Sequence, residues 1–140
     1  MSGSVIKTIG ALGKGLGVTL KYFFKKPVTV KYPEERREPC QRYRGTHILR
    51  MDEWGRERCV ACCLCARVCP ANVITIEPAE REDNEKYPKK FEIDLGRCIF
   101  CGYCVEACPK AAISMSTEYE TADYHREDLI YDKNRLLKAD

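Results

Sequence analysis

The stretch "ERCVACCLCARVCP", residues 57 to 70, sets five cysteines within fourteen residues. Four of them, Cys59, Cys62, Cys65 and Cys69, follow the spacing C-x2-C-x2-C-x3-C and are closed by Pro70. The same five residues recur as Cys98, Cys101, Cys104, Cys108 and Pro109, every one displaced by 39 positions. Around them "RCVACCLCARVCPANVITI" (58–76) and "RCIFCGYCVEACPKAAISM" (97–115) share seven identities in 19 positions. A fixed offset of this kind is an internal duplication, and the rest of the chain is organised around it.

Ten cysteines in 140 residues exceed what packing requires, which leaves disulfides, zinc or an iron–sulfur framework. The N-terminal "MSGSVIKTIGALGKGLGVTLKYFFKKP" is broken by Lys7, Lys14 and Lys21 and lacks a small-residue cleavage site, so it does not read as a secretion signal. The thiols are then expected in a reducing compartment, where disulfides are rare. Zinc sites favour separated pairs of cysteines, four ligands to a site, and three cysteines in tandem with C-P fit that poorly. The duplicated pattern is the one by which bacterial ferredoxins hold two [4Fe-4S] clusters, the fourth cysteine of each run ligating the other cluster. On that rule cluster A is held by Cys59, Cys62, Cys65 and Cys108, and cluster B by Cys98, Cys101, Cys104 and Cys69. Cysteines at every third position let a short loop curl round a cube of iron and sulfide. Val60, Ala61, Leu64, Ile99, Phe100 and Tyr103 between them would limit water there. Cys40 and Cys63 fall outside both runs and read as ordinary thiols; His47 and His125 have no ligand constellation and read as structural or surface residues.

Each half reads as β-α-β, giving an α+β fold with a duplicated ferredoxin-like core. Strands are expected at "THILRM" and "VITIE" in the first half and at "FEIDL" and "AISMS" in the second, with a short helix beginning near each last cysteine. "DEWG" reads as a turn, and the polar "EPAEREDNEKYPKK" as a long connection between the halves.

Two arms flank the core at 46–117. In residues 1–27, Val5, Ile9, Leu12, Leu16, Leu20 and Phe23 recur at helical period with Lys7, Lys14, Lys21 and Lys25 on the other side, a basic amphipathic helix closed by Pro27. Such a helix suits an anionic membrane surface or a partner protein. Gly10, Gly13, Gly15 and Gly17 weaken it on its own, so something is expected to hold it. No apolar run approaches the roughly 20 residues needed to span a bilayer. Residues 28–45 read as an extended docking segment. Residues 118–140 mix charges with Tyr119, Tyr124, Leu129, Ile130, Tyr131, Leu136 and Leu137, the composition of a docking arm. Charge is uneven: residues 1–58 carry 13 Lys and Arg against 6 Asp and Glu, residues 59–140 carry 11 against 15.

Beyond the cysteines, "YPEE" at 32, "RYRG" at 42, "ERCVAC" at 57, "YP" at 87, "RCIFCGYC", "EACP" and "REDLIYDK" at 126 resemble the two-cluster, ferredoxin-like subunit (subunit I type) of respiratory complex I, the proton-pumping NADH:quinone oxidoreductase. The resemblance covers residues 28–137. It implies an electron relay without a catalytic residue of its own, passing single electrons through two [4Fe-4S] clusters toward a quinone-proximal cluster in a neighbouring subunit. It also implies other peripheral-arm and membrane-arm subunits as partners, membrane contact through residues 5–26, and a peripheral place on the cytoplasmic side of a bacterial inner membrane. No nucleic acid, and no direct NADH or quinone binding, is expected. A free soluble ferredoxin, or the equivalent subunit of a ferredoxin-, deazaflavin- or hydrogen-linked complex, is the alternative.

Overall fold

The computed structural model describes residues 2–137; Met1 and the last three residues of the C-terminal arm lie outside it, as do the side chains of residues 2–5 and with them Val5 of the predicted stripe. The chain falls into two units, Met1–Glu38 and Pro39–Asp140.

The first unit is a helix, α1 (Ser2–Phe23), followed by extended chain and tight turns. Ile6, Ile9, Leu12, Leu16, Leu20 and Phe23 are all exposed on it. Ile9, Leu12, Leu16, Leu20 and Phe23 are the described members of the predicted stripe. A Cβ on Gly10, Gly13, Gly15 or Gly17 would meet open space.

The second unit is built from β1 (His47–Leu49), α2 (Leu64–Val68), β2 (Ile74–Glu80), β3 (Lys86–Asp94), α3 (Tyr103–Glu106), β4 (Ile113–Met115), β5 (Ile130–Tyr131) and α4 (Lys133–Leu136), with a 3-10 turn over Arg126–Leu129. Strands β1 and β4 pair antiparallel, with Leu49 opposite Ile113, so the strand before the first cysteine run is zipped to the strand after the second. Strands β2, β3 and β5 form the other antiparallel sheet. Alternation decides which side chains are buried: Phe91, Ile93 and Leu95 point inward at period two and are nearly inaccessible. Leu49, Val73, Ile113 and Leu136 complete the core, which also takes in Cys65 and Cys104.

Three expectations need correction. The helices do not begin near the last cysteine of each run: α2 starts at Leu64, carries Cys65, and ends before Cys69, and α3 likewise carries Cys104. The cause is the proline that follows, which disfavours helical backbone in the residue before it; Cys69 is extended at φ −69°, ψ 113°. The polar segment after "VITI" is not a loose connection but the end of a hairpin. Strands β2 and β3 run on to Glu80 and Lys86, and the turn is closed by Arg81 N–H to Glu85 O at 2.9 Å, with Asn84 at φ 62°. Pro78 and Pro88 face each other beside an irregularity in register, which is where a ladder tolerates residues without an N–H. Finally, the segment from 118 onward is partly built into the core. Leu136 is 0% exposed, and Ile130–Tyr131 adds a strand beside β3, while Tyr124 is 99% exposed. The expected turn at "DEWG" is present: Asp52 accepts from the backbone N–H groups of Trp54 and Arg56, and Gly55 sits at φ +75°.

Candidate metal centres

The loop Cys59–Cys65 turns by placing Ala61 (φ 49°) and Cys63 (φ 60°) in the left-handed region; Phe100 (φ 51°) and Gly102 (φ 80°) do the same at the positions 39 residues on. After each proline, Asn72 (φ 51°) and Ala111 (φ 47°) form a third matched pair. A side chain in this conformation costs about 1–2 kcal/mol, so repetition at five non-glycine positions marks a backbone held to a purpose. At Gly102 the opposite face is occupied as well, since a Cβ there would come within 3.2 Å of the Arg44 guanidinium.

These turns gather the motif thiols into two sets. A cavity is lined by Cys59, Cys62, Cys65 and Cys108, with Leu49, Val60, Ile76, Phe91 and Ile113 among its walls and Lys110 beside it. A second is lined by Cys98, Cys101, Cys104 and Cys69, walled by Val73, Ile74, Ile93 and Ile99. Each cavity thus takes three sulfurs from one run and the fourth from the other. Among the described residues no three His, Cys, Asp or Glu side chains converge as a site for one metal ion. Helices α2 and α3 pack on each other between the cavities, and there Cys65 and Cys104 lie near enough to influence each other's charge.

Electrostatics describe what the sulfurs need. Burial pushes the Cys65 thiol up to about 12 and Cys104 up to about 11, and neighbouring thiols add to the shift. Burial likewise raises Cys59 and Cys98. Thiols shifted upward favour the protonated form, so binding them as thiolates would take a positively charged group that displaces their protons. Backbone N–H groups already point at sulfur, from Phe100 to Cys98 Sγ at 3.4 Å and from Ala112 to Cys108 Sγ at 3.3 Å. Four soft donors, apolar walls and amides aimed at sulfur suit an iron–sulfur cube at each cavity.

Residues outside the motifs also contribute. Arg44 donates from Nη1 to the Cys101 carbonyl and lies 3.7 Å from Glu106, tying the second loop to the segment before β1. Nothing in the spacing of the cysteines points to it. His47, read from sequence as an ordinary histidine, lines the second cavity and stacks on Phe100 at 5.8 Å; burial pulls its imidazole below the usual range. Cys63 lines the first cavity, its Sγ 3.4 Å from the Ala61 carbonyl, whereas Cys40 and His125 are exposed and border neither.

The family described as 4Fe-4S dicluster domain matches residues 58–112. A curated relative, NADH-quinone oxidoreductase subunit I 2 of Geobacter metallireducens, is 51% identical over 124 residues, covering 89% of this chain and 94% of its own. NADH-quinone oxidoreductase subunit 9 of Thermus thermophilus is 47% identical over 136 residues, covering 93% of this chain and 75% of its own. Among solved structures, a chain of the membrane-bound sulfane sulfur reductase, an archaeal respiratory membrane complex, superposes with a TM-score of 0.55 at 38% identity. That match covers 80% of this chain and 56% of the other.

Proposed function

The chain belongs to the subunit I family of NADH-quinone oxidoreductases, and from that premise we propose how its residues serve as the electron-relay subunit of such a complex. It carries two [4Fe-4S] clusters. Cys59, Cys62, Cys65 and Cys108 hold one and Cys98, Cys101, Cys104 and Cys69 the other. The observation that carries this assignment is the sorting of the eight motif thiols into two cavities with their fourth members exchanged. Each cluster, when bound, takes up and gives back one electron at a time.

The protein's part is to bind, space and shield. The β1–β4 pairing and the packing of α2 on α3 hold the two sets together, and Cys65 and Cys104, one from each set, lie near enough to influence each other's charge, so the clusters they would hold could exchange electrons there. The apolar walls exclude water, which would otherwise favour the more highly charged reduced state and reach the irons. Matched left-handed residues at 61 and 100, 63 and 102, and 72 and 111 support a duplicated ferredoxin-like core over 46–117.

It is a subunit of a membrane-associated respiratory complex, and other subunits of that complex are its partners. Among the described residues no helix is long and apolar enough to cross a membrane. The exposed stripe of α1 over Lys7, Lys14 and Lys21 suits contact with the cytoplasmic membrane surface or a membrane-arm subunit through residues 5–26. Residues 28–45, and the exposed part of 118–140, including Tyr124, are surfaces for peripheral-arm neighbours.

Ligation is tested by substitution within the complex. Cys69→Ser and Cys98→Ser should abolish the same paramagnetic signal after dithionite reduction, and Cys108→Ser the other, with about eight irons per wild-type chain. Loss of one signal by Cys69→Ser together with Cys59→Ser would refute the exchange.

A further inference from the structure

His47 stands beside the second thiol set with a nitrogen that has no hydrogen-bond partner among the described residues. The residue lines the cavity of Cys69, Cys98, Cys101 and Cys104. The residue is 4% exposed, and its Nδ1 is buried without a hydrogen-bond partner. Folds pair their buried polar atoms almost without exception, so an orphan of this kind calls for a partner. The neighbouring residue makes the contrast plain: Thr46, equally buried, places its hydroxyl 2.7 Å from that of Ser116.

The ring is held in place by the fold. Pairing of His47 with Met115 fixes its backbone, and the imidazole stacks on Phe100 with the planes 29° apart. Phe100 lies between Cys98 and Cys101 and turns its own N–H to Cys98 Sγ. The histidine is therefore packed against the loop that supplies three of the four sulfurs. The first cavity has no histidine on its wall.

We propose that His47 donates its Nδ1–H to sulfur of the cluster held by Cys69, Cys98, Cys101 and Cys104, raising the reduction potential of that cluster and not of the other. The inference rests on the ligation given under Proposed function. A neutral imidazole has one N–H and one lone pair, and only the tautomer with the proton on Nδ1 can serve a sulfur acceptor. A donor aimed at cluster sulfur favours the state carrying the extra electron, which is one of the ways proteins set such potentials. His47 is a positioning and tuning residue; it carries no electron itself.

The test is a redox titration of the intact complex followed by electron paramagnetic resonance, comparing wild type with His47→Leu, which removes the donor, and His47→Asn, which restores an N–H near the place of Nδ1. Where the wild-type cluster is half reduced, His47→Leu should lower its reduced-to-oxidised ratio about tenfold, which is ~59 mV for a one-electron couple. The affected signal should be the one that Cys98→Ser abolishes, and His47→Asn should stay within about twofold of wild type. An unshifted signal in His47→Leu, or equal shifts in both signals, overturns the proposal. Should His47→Leu fail to retain the cluster, the wild-type complex labelled with 15N-histidine decides: hyperfine coupling to a histidine nitrogen in that one signal is expected, and its absence overturns the proposal. Iron and sulfide well below two clusters per wild-type chain would instead refute the ligation itself.

Discussion

Replacing Leu136 by alanine tests whether the end of the chain helps hold the cysteine core. Leu136 is 0% exposed and belongs to the same buried cluster as Leu49 and Phe91, which wall the first cavity. Truncation removes about three methyl or methylene groups and leaves a hole that α4, capped by Asp132, cannot close without shifting. Changes of this kind cost ~2–5 kcal/mol; taking about 3 kcal/mol, the open population rises on the order of a hundredfold, since 1.4 kcal/mol is tenfold. The readout is bleaching of the visible iron–sulfur absorbance of the anaerobic holo-subunit at a fixed moderate urea concentration. There, cluster loss follows the open population, and the rate should rise about a hundredfold. A change below about threefold would refute the reasoning, because a side chain on a purely partner-facing arm would leave the isolated subunit indifferent.

Further outcomes follow from other parts of the structure. Burial alone would raise the Asp94 carboxyl, but Arg97 at 2.8 Å and Arg126 at 3.5 Å outweigh it and hold it below the usual carboxylate range. Its contribution is present above pH ~4 and is lost as pH falls through its lower folded value. The ratio of bleaching rates, Asp94→Asn over wild type, should accordingly be constant from pH 8 to 5 and shrink below about pH 4; a ratio that stays flat throughout contradicts this. Complete iron removal should leave a substantially unfolded chain, because so small a core is marginal without its metal; native-like near-ultraviolet circular dichroism of the apo-protein would show otherwise. Deleting residues 2–25 should keep both paramagnetic signals while releasing the protein from the membrane-bound assembly on gradient centrifugation, and unchanged sedimentation would remove the anchoring role of α1.

The 39-residue offset made the two cysteine runs plain in the sequence, and the division into two sets came from the ferredoxin pattern rather than from spacing; the same groups of four line two cavities in the structure. Strands β1 and β4, and the parts of β2 and β3 that fall in "VITIE" and "FEIDL", were legible from β-branched and alternating residues. The hairpin of β2 and β3 was not, because Pro78, Pro88 and a run of charges read as a linker; the strands persist there because solvent-facing ends need no apolar alternation, and Lys86 and Glu80 pair across them at 3.8 Å. Nor was the place of His47 legible. A lone histidine in "THILRM" carries no local signal, and its meaning comes only from the pairing that sets β1 against the far side of the second cysteine run. Arg44 was hidden for the same reason, 57 positions from the carbonyl it meets.

The exchange of fourth cysteines has a temporal side. The cavity begun by Cys59, Cys62 and Cys65 is closed by Cys108, 43 residues after Cys65. At about 5–20 residues per second of synthesis, the first three sulfurs wait seconds for the fourth, and no half of the nascent chain offers a finished site. The same closure also needs β4, which follows Cys108. On the proposed ligation, metal loading at either centre would wait until the second cysteine run had been made. On that ligation, a chain terminated before residue 104 would lack a full set of ligands for either centre, and one terminated between 104 and 108 would lack it for the first alone.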